Sequence, residues 1–273
     1  MPRRERASVL VGLSTKTGNM GVFWIFFAAI VVGYLLQSYA LLAIFYLRLD
    51  RVWKTQPSLD STVGRLWLPP LLSSKPNRAP GHRFICTFNL LMAGMFAGLV
   101  AELISSGRSR LLTFDSTPSL LGWLRIVAVE LTVCVAYESV VEYWWHRLMH
   151  IPFFYRRLHK LHHHYKSPEV YDDMMIHPLE AFGYYCILYS PPLVFPVTLQ
   201  AFVLYMITMG IFGVWDHSGI RLRCSVFGLK YDSADHDLHH ELTTVNYGFP
   251  FMLLDQLHGT YVKPPERSGK QSS

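Results

Sequence analysis

Three short histidine clusters, the last separated from the first two by a long apolar stretch, constrain the fold of this 273-residue chain more than any other feature. The clusters, here called boxes, are HRLMH, HKLHH and HDLHH, and their histidines are His146, His150, His159, His162, His163, His236, His239 and His240. Histidines at i, i+3 and i+4 lie on one face of a helix, so each box can direct its imidazoles towards a common centre. One zinc ion takes about four ligands, so eight histidines favour two metal ions held between the boxes.

The alternative is a histidine-rich tract that only buffers metal. Such tracts are repetitive, whereas these boxes have fixed internal intervals and apolar sequence around them. We therefore interpret the boxes as a specific metal-binding site.

The composition indicates a chain largely surrounded by lipid. Hydrophobic residues make up 51% of the sequence and charged residues 16%, with a mean hydropathy of +0.22. Apolar stretches long enough to enter a bilayer lie at residues 20–47, 84–105, 119–141 and 181–214. Each of the first three suits one crossing of about 20 residues. Pro191, Pro192 and Pro196 interrupt the fourth, which predicts two helices in a hairpin.

The order of the boxes independently supports that hairpin. HRLMH and HKLHH precede the fourth stretch and HDLHH follows it, so a shared site requires an even number of crossings between them. Segments 48–83 and 142–180 are rich in Lys and Arg, whereas 106–118 carries only Arg108 and Arg110. The positive-inside rule therefore predicts that the boxes face the cytosol.

The N-terminus conflicts with this topology. Three crossings before HRLMH would place it in the lumen, which the positive charges of Arg3, Arg4 and Arg6 oppose. The alternative is that the first apolar run lies partly in the membrane interface.

The formal charge is +6, which can indicate binding to nucleic acid or to an anionic membrane. The basic residues lie in short segments beside the apolar runs, so we expect a membrane role and no nucleic-acid partner.

We therefore predict an all-α fold, a polytopic membrane helical bundle with a cytosolic, histidine-rich cap that holds two metal ions. The predicted divisions are an N-terminal tail at 1–19, transmembrane helices at 20–141 with a basic cytosolic linker at 48–83, a domain at 142–262 that carries the boxes and the membrane hairpin 181–214, and a disordered tail at 263–273.

Carboxylates beside the boxes extend the predicted site. Glu138 and Glu142 precede His146 at four-residue intervals, and a carboxylate one turn from a ligand can hold an imidazole tautomer. The alternative is that both are solvated at the helix end. Asp235, Asp237 and Glu180 can offset the positive charge of bound metal.

Five further histidines lie outside the boxes' regular spacing. His177 and His217 are placed where the hairpin returns to the cap, and each is either a further ligand or an ordinary polar residue. His164 turns about 100° away from its neighbours and is expected at the surface or outside the ligand set. His82 and His258 have no histidine partners nearby and are interpreted as structural.

Imidazole suits zinc, copper, iron and nickel, but zinc rarely needs more than four ligands, so a pair of irons fits the boxes best. The sequence lacks an HExxH pair, a GxSxG elbow, a Gly-rich nucleotide loop and a CxxCH haem motif. These absences disfavour a peptidase, a hydrolase or a redox enzyme that carries its own electron cofactor.

The boxes and their surroundings resemble the sterol desaturase and fatty acid hydroxylase superfamily. The segments that carry the resemblance are YWWHRLMH, FYRRLHKLHH, IHPLE, DHSG, HDLHH, NYG and DQLHGT, which occur in this order over about residues 138–262. Within the superfamily they are most similar to the C4-methylsterol oxidase branch and the related fatty acid hydroxylase domain-containing 2 proteins. His164 and the C-terminal KQSS, which lacks a dilysine signal, depart from the pattern.

The resemblance implies a multi-pass endoplasmic-reticulum enzyme with a non-haem di-iron centre that uses O2 to oxidise a C–H bond of a lipid. It implies the eight box histidines as catalytic metal ligands, with His177 and His217 as additions. Electrons would come from NAD(P)H through cytochrome b5 and its reductase. A sterol is the favoured substrate, fatty acyl or sphingoid chains are the alternative, and both hydroxylation and desaturation remain open.

Two rival functions belong to other classes. A membrane metal carrier needs ionisable residues along its spans, and the predicted spans hold few, such as Glu102 and Glu130. A catalytically silent relative would not need intact boxes.

Overall fold

The computed structural model describes residues 19–47, 81–105, 119–166, 168, 170–226 and 228–265. The predicted N-terminal tail, basic linker and C-terminal tail lie wholly or largely outside these residues, and so does the segment 106–118.

Within the described residues the chain is mainly helical. The α-helices are α1 (Asn19–Leu47), α2 (His82–Ser105), α3 (Leu120–Met149), α4 (Pro152–Arg157), α5 (Pro178–Leu188), α6 (Pro191–Val194), α7 (Leu199–Asp216), α8 (Ala234–Leu242) and α9 (Leu253–His258). Two 3₁₀ helices span His159–His164 and Asp172–Met174, and the strands β1 (Arg223–Val226) and β2 (Leu229–Asp232) pair antiparallel. The all-α prediction is confirmed, with this small β-hairpin as an addition.

Among the residues that the structure describes, three helices are long and apolar enough to cross a membrane. Their apolar segments are Gly21–Leu41 in α1, His82–Ile104 in α2 and Leu120–Met149 in α3. Large apolar side chains on these helices face outward, including Phe84 (74% exposed) and Leu36 (65% exposed), as helices surrounded by acyl chains require. The third helix continues past the predicted end at residue 141, so HRLMH belongs almost entirely to α3.

The fourth apolar stretch forms two main helices broken at its prolines, as predicted. The 11-residue α5 and the 18-residue α7 are about 16 and 27 Å long at 1.5 Å per residue. Glu130 of α3 accepts hydrogen bonds from the backbone N–H of Thr198 (2.8 Å) and from its hydroxyl (2.6 Å). The N-terminal end of α7, where the helix dipole is positive, therefore lies beside a buried carboxylate.

Helices α1 and α2 pack antiparallel, and two glycines permit a close approach. A Cβ added to Gly98 would lie 2.7 Å from the ring of Phe23, and one added to Gly94 would lie 2.8 Å from Phe27. Further along α1, Tyr34 donates a hydrogen bond to Asp173 in the second 3₁₀ helix. Helix α1 thus begins at the end of the bundle opposite the histidine boxes.

One buried carboxylate organises the cap. Asp255 on α9 accepts hydrogen bonds from the backbone N–H groups of Tyr247 (2.9 Å) and Gly248 (2.6 Å) and from the Thr260 hydroxyl (2.6 Å). These bonds fix the loop 246–248 beside the end of α3.

Candidate metal centre

The first box brings two imidazoles to the end of α3. His146 and His150 are one helical turn apart, and their rings lie 5.1 Å from each other. The Nδ1–H of His146 donates to the backbone carbonyl of Tyr247 (2.8 Å). The Nε2 atoms of both histidines are buried and have no hydrogen-bond partner within the described part of the chain.

The second box forms a 3₁₀ helix rather than an α-helix, and its histidines point two ways. His159 and His163 face the first box, with their Nε2 atoms 3.0 Å apart. His162 turns to the other side, where its Nε2 lies 3.3 Å from that of His217. Glu180 on α5 hydrogen-bonds the Nδ1 of His159 (2.5 Å).

The third box lies on α8, opposite the second. The Nδ1–H groups of His239 and His240 donate to the backbone carbonyls of Val245 (2.7 Å) and Tyr165 (3.1 Å). His217, directly after α7, likewise donates from Nδ1 to Gly213 (2.9 Å). These carbonyl bonds leave Nε2 free to face the interior.

Together the boxes and His217 form two groups, in each of which the potential ligand atoms lie within 4.8 Å of one another. The five-histidine group contains His146, His150, His159, His163 and His239, and the four-histidine group contains His162, His217, His236 and His240. The second and third boxes each contribute to both groups. Each of these boxes therefore contributes histidines to both groups, whereas we expected the imidazoles of each box to point towards a common centre.

The spacing inside the groups suits bound cations. Nε2 of His236 lies 2.9 Å from that of His217 and 3.1 Å from that of His240, and Nε2 of His239 lies 3.1 Å from that of His163. Ligands at about 2.0–2.1 Å from one metal ion are about 2.9 Å apart in an octahedral arrangement and about 3.3 Å apart in a tetrahedral one. A neutral imidazole that is protonated at Nδ1 has a lone pair at Nε2. In the two groups these lone pairs face each other and repel, and a cation between them relieves this repulsion.

Burial sets the protonation state of the groups. Burial, with a smaller effect from neighbouring imidazoles, lowers the pKa of His163 to about 2, and burial lowers the pKa of His217 to about 4. The pKa values of His236, His239 and His240 lie well below the usual range for the same main reason. All five are neutral at pH 7, which is the form that binds metal.

The carboxylates that the sequence predicted beside the boxes differ in what they contact. Glu180 contacts a histidine as described, but the Nδ1 of His146 bonds to the Tyr247 carbonyl, so the tautomer role expected of Glu142 is filled by the backbone. Asp235 and Asp237 are buried on α8, and burial raises the pKa of Asp235 to about 7.

The structure places the histidines outside the boxes in different surroundings. His217 lies in the four-histidine group, whereas His177 caps α5, where its Nδ1 accepts a hydrogen bond from the N–H of Leu179 (3.3 Å). The structure therefore does not bring His177 into either group, and it places His164 at the surface. His82 pairs with the buried Asp172, and the ring of His258 stacks on Tyr143.

Sequence reasoning missed the backbone acceptors that orient the imidazoles. A sequence does not show which backbone carbonyls accept hydrogen bonds from histidines. The NYG motif, however, marks one loop that supplies such a carbonyl. Asn246 in that motif has a positive φ of 54° and binds the backbone at Asp235 and Val262. The motif therefore presents the carbonyl of Tyr247 to His146.

Comparison with known proteins agrees with this site. Residues 131–260 match the fatty acid hydroxylase family. Similar proteins include a Delta(7)-sterol 5(6)-desaturase of Gibberella zeae (33% identity over 45% of this chain and 35% of the relative) and the lathosterol oxidase of Homo sapiens (31% over 53% and 48%). A very-long-chain aldehyde decarbonylase of Oryza sativa is 28% identical over 68% of this chain and 72% of the relative. No solved structure was found to match.

The matched segment contains all nine histidines of the two groups. The family match and the similar sterol-modifying proteins support a relation of this segment to the sterol desaturase and fatty acid hydroxylase superfamily. It spans less than half the length of the two sterol-modifying relatives named here.

Proposed function

We propose that the protein is a membrane-bound, non-haem di-iron enzyme that oxidises a C–H bond of a lipid, most readily a sterol. The observation that carries this proposal is the convergence of nine imidazoles, eight of them buried, in two adjacent groups at the end of a membrane-length helix. A carrier or a structural protein has no need of two such groups.

The nine histidines would hold two iron ions, one in each group. When bound, the irons supply the activation of O2, which side chains alone do not perform. The protein's own part is to keep the imidazoles neutral and oriented, through burial, the backbone carbonyls and Glu180. The buried setting excludes water from the reacting centre.

Two features support a lipid substrate that approaches from the bilayer. Helix α3 runs directly into the five-histidine group, and α7 ends at His217 of the four-histidine group, so both groups lie at the ends of apolar helices. The names of two similar proteins refer to sterols, which favours a sterol over other lipids. Within that class we propose a C4-methyl group as the site of oxidation, on the resemblance of the boxes.

A fatty-chain substrate is the second candidate. The rice relative is named for an activity on very-long-chain aldehydes, and it matches a larger share of this chain than the two sterol-modifying proteins do. Product analysis with both lipid classes separates the two candidates.

Electrons would come from NAD(P)H through cytochrome b5 and its reductase. Exposed Arg156, Arg157 and Lys160 lie on α4 and the second box, beside the five-histidine group, where they suit an acidic protein donor. With such a donor, we propose that the cap lies on the cytosolic side of the endoplasmic-reticulum membrane.

The bonding of Glu130, one of the carboxylates on the membrane-length helix α3, does not fit a metal-transport path. Both of its hydrogen bonds go to Thr198 at the start of α7, so it stabilises a helix end rather than lining a path.

The test uses the full-length protein purified in detergent after expression in microsomal membranes. We expect about two irons per chain and NAD(P)H-dependent O2 uptake that requires cytochrome b5, its reductase and a 4-methyl sterol. A protein that contains only zinc and consumes no O2 with sterol or fatty lipids would contradict the proposal.

A further inference from the structure

A row of carboxyl groups, two of them buried, leads along α3 from the membrane interior to the five-histidine group. Glu130, Glu138, Glu142 and His146 lie on one face of the helix, at intervals of eight, four and four residues. Glu138 is fully buried and Glu130 is 8% exposed. The binding of metal by the histidines gives no role to Glu138 or Glu142.

The contacts of Glu138 favour its protonated form. The hydroxyl of Tyr205 lies 3.1 Å from Glu138 Oε2 and 3.0 Å from the backbone carbonyl of Leu188. A carbonyl only accepts hydrogen bonds and a tyrosine hydroxyl has one proton to donate. Both contacts are satisfied when Tyr205 donates to Leu188 and a protonated Glu138 donates to Tyr205.

Glu130 provides a contrast on the same helix face. Its Oε2 accepts from two donors of Thr198, so it is satisfied as an ionised carboxylate at the positive end of α7. The two glutamates therefore differ in the bonds they make and in the protonation state that those bonds favour.

Glu142 lies between Glu138 and the metal-binding groups. One oxygen of each of Glu138 and Glu142 is buried without a hydrogen-bond partner among the residues that the structure describes. One helical turn, with about 5–6 Å between Cβ atoms, separates Glu138 from Glu142 and Glu142 from His146.

The proposed chemistry consumes protons in a place that excludes water. Hydroxylation takes O2, two electrons and two protons, inserts one oxygen atom into the C–H bond and releases the other as water. Desaturation takes the same electrons and protons, removes two hydrogen atoms from the lipid and releases two waters. A buried site therefore needs its own proton donors close to the ligands.

We propose that Glu138 and Glu142 form a proton relay that supplies the metal centre, with Tyr205 holding Glu138 in its protonated form. This proposal rests on the proposed oxygen chemistry. Glu142 gives its proton to the oxygen being reduced, takes the proton of Glu138 and then gives that proton too, so the pair supplies the two protons of one turnover. Between turnovers water restores one proton to each carboxylate.

The resting holoprotein provides a test that does not depend on turnover. Infrared spectra in H2O and D2O are expected to show the C=O stretch of a protonated carboxylic acid that shifts on deuteration. One component of this band is expected to disappear in Glu138→Gln and to persist in Glu130→Gln. A band that is absent from the wild type, or unchanged in Glu138→Gln, overturns the proposal, whatever the substrate proves to be.

Kinetics provide the second test. Glu138→Gln keeps the donor to Tyr205 but cannot pass on a proton, so kcat is expected to fall by about 10- to 100-fold while KM for the lipid and iron content stay unchanged. Glu130→Gln is expected to remain within about twofold of the wild type. A raised KM with intact kcat would instead show that Glu138 binds a polar group of the substrate. Loss of iron would show that Glu138 has a structural role. Either result overturns the relay.

Tyr205→Phe keeps the proposal testable should Glu138→Gln fail to fold. Loss of the hydroxyl is expected to shift the carboxylic acid band to a higher frequency, because the proton of Glu138 loses its acceptor. An unshifted band overturns the assignment.

Discussion

Each imidazole whose Nδ1 donates to a backbone carbonyl has only Nε2 left for a metal ion. His146, His217, His239 and His240 are oriented in this way, and His159 is oriented by Glu180. Four of the nine imidazoles in the two groups are therefore oriented by main-chain carbonyls. Substitutions at the histidines themselves should affect metal binding more than folding of the helices.

Neighbouring histidines in the second box offer a matched pair. His163→Ala removes a buried member of the five-histidine group, whereas His164→Ala removes an exposed side chain outside both groups. We expect the first variant to lose bound iron and the second to retain it. Metal analysis of the purified proteins checks this, and equal iron contents would contradict the assignment of His163.

The bond between Glu180 and His159 should tune metal affinity. Glu180→Gln keeps the shape of the side chain but removes the negative charge that makes His159 a better ligand. Affinity is expected to fall by about 10- to 100-fold, the usual effect of losing such a partner. Competition with a chelator measures it, and an unchanged affinity would show that the contact only holds α5 in place.

Sequence reasoning predicted that the box histidines lie together, as they do in the two groups, but it did not predict where the isolated histidines lie. From the sequence alone, His177 and His217 were equally possible metal ligands. Only tertiary packing separates them, because α7 ends where His217 faces His162 and His236, whereas His177 begins α5 and caps it. The spacing of a single histidine contains no information on such packing.

At the scale of helices, the packing of α5 against α3 depends on Gly183. A Cβ at this position would lie 2.4 Å from the ring of Trp145, the neighbour of His146. Gly183→Ala is expected to destabilise the protein by about 1–3 kcal/mol through overpacking. The thermal midpoint in detergent should fall accordingly.

Gly210→Ala is the control for this substitution. Gly210 lies within α7 and has nothing within 4 Å of an added Cβ. This variant should be neutral, or more stable by up to about 1 kcal/mol, because alanine restricts the unfolded chain. Equal destabilisation of both variants would indicate a general effect of helix glycines rather than contact with Trp145.

The helices were predictable because their signals are local. Apolar runs of membrane length predicted α1 and α2, and Pro191, Pro192 and Pro196 predicted the break between α5 and α7. The β-hairpin was not predicted, because its four-residue strands are short and largely exposed and lack the alternation that a buried strand shows. The 3₁₀ geometry of the second box was missed because its i, i+3, i+4 spacing fits an α-helix equally well.

At the scale of the whole molecule, the antiparallel bundle predicts the topology. Helix α1 begins opposite the cap, whereas Val262 bonds to Asn246 within the cap. In sealed microsomes, a tag before α1 should resist added protease and a tag after residue 273 should be digested. Digestion of both tags would support the alternative in which α1 lies partly in the interface.

The division of two boxes between the two groups has a consequence for how the protein acquires its metals. The 3₁₀ helix His159–His164 and helix α8 each hold ligands of both groups, so the first ion to bind fixes the scaffold for the second. Occupancy should therefore be cooperative. Native mass spectrometry during iron titration should find chains with no ion or two ions and few with one; a dominant singly occupied species would show that the centres fill independently.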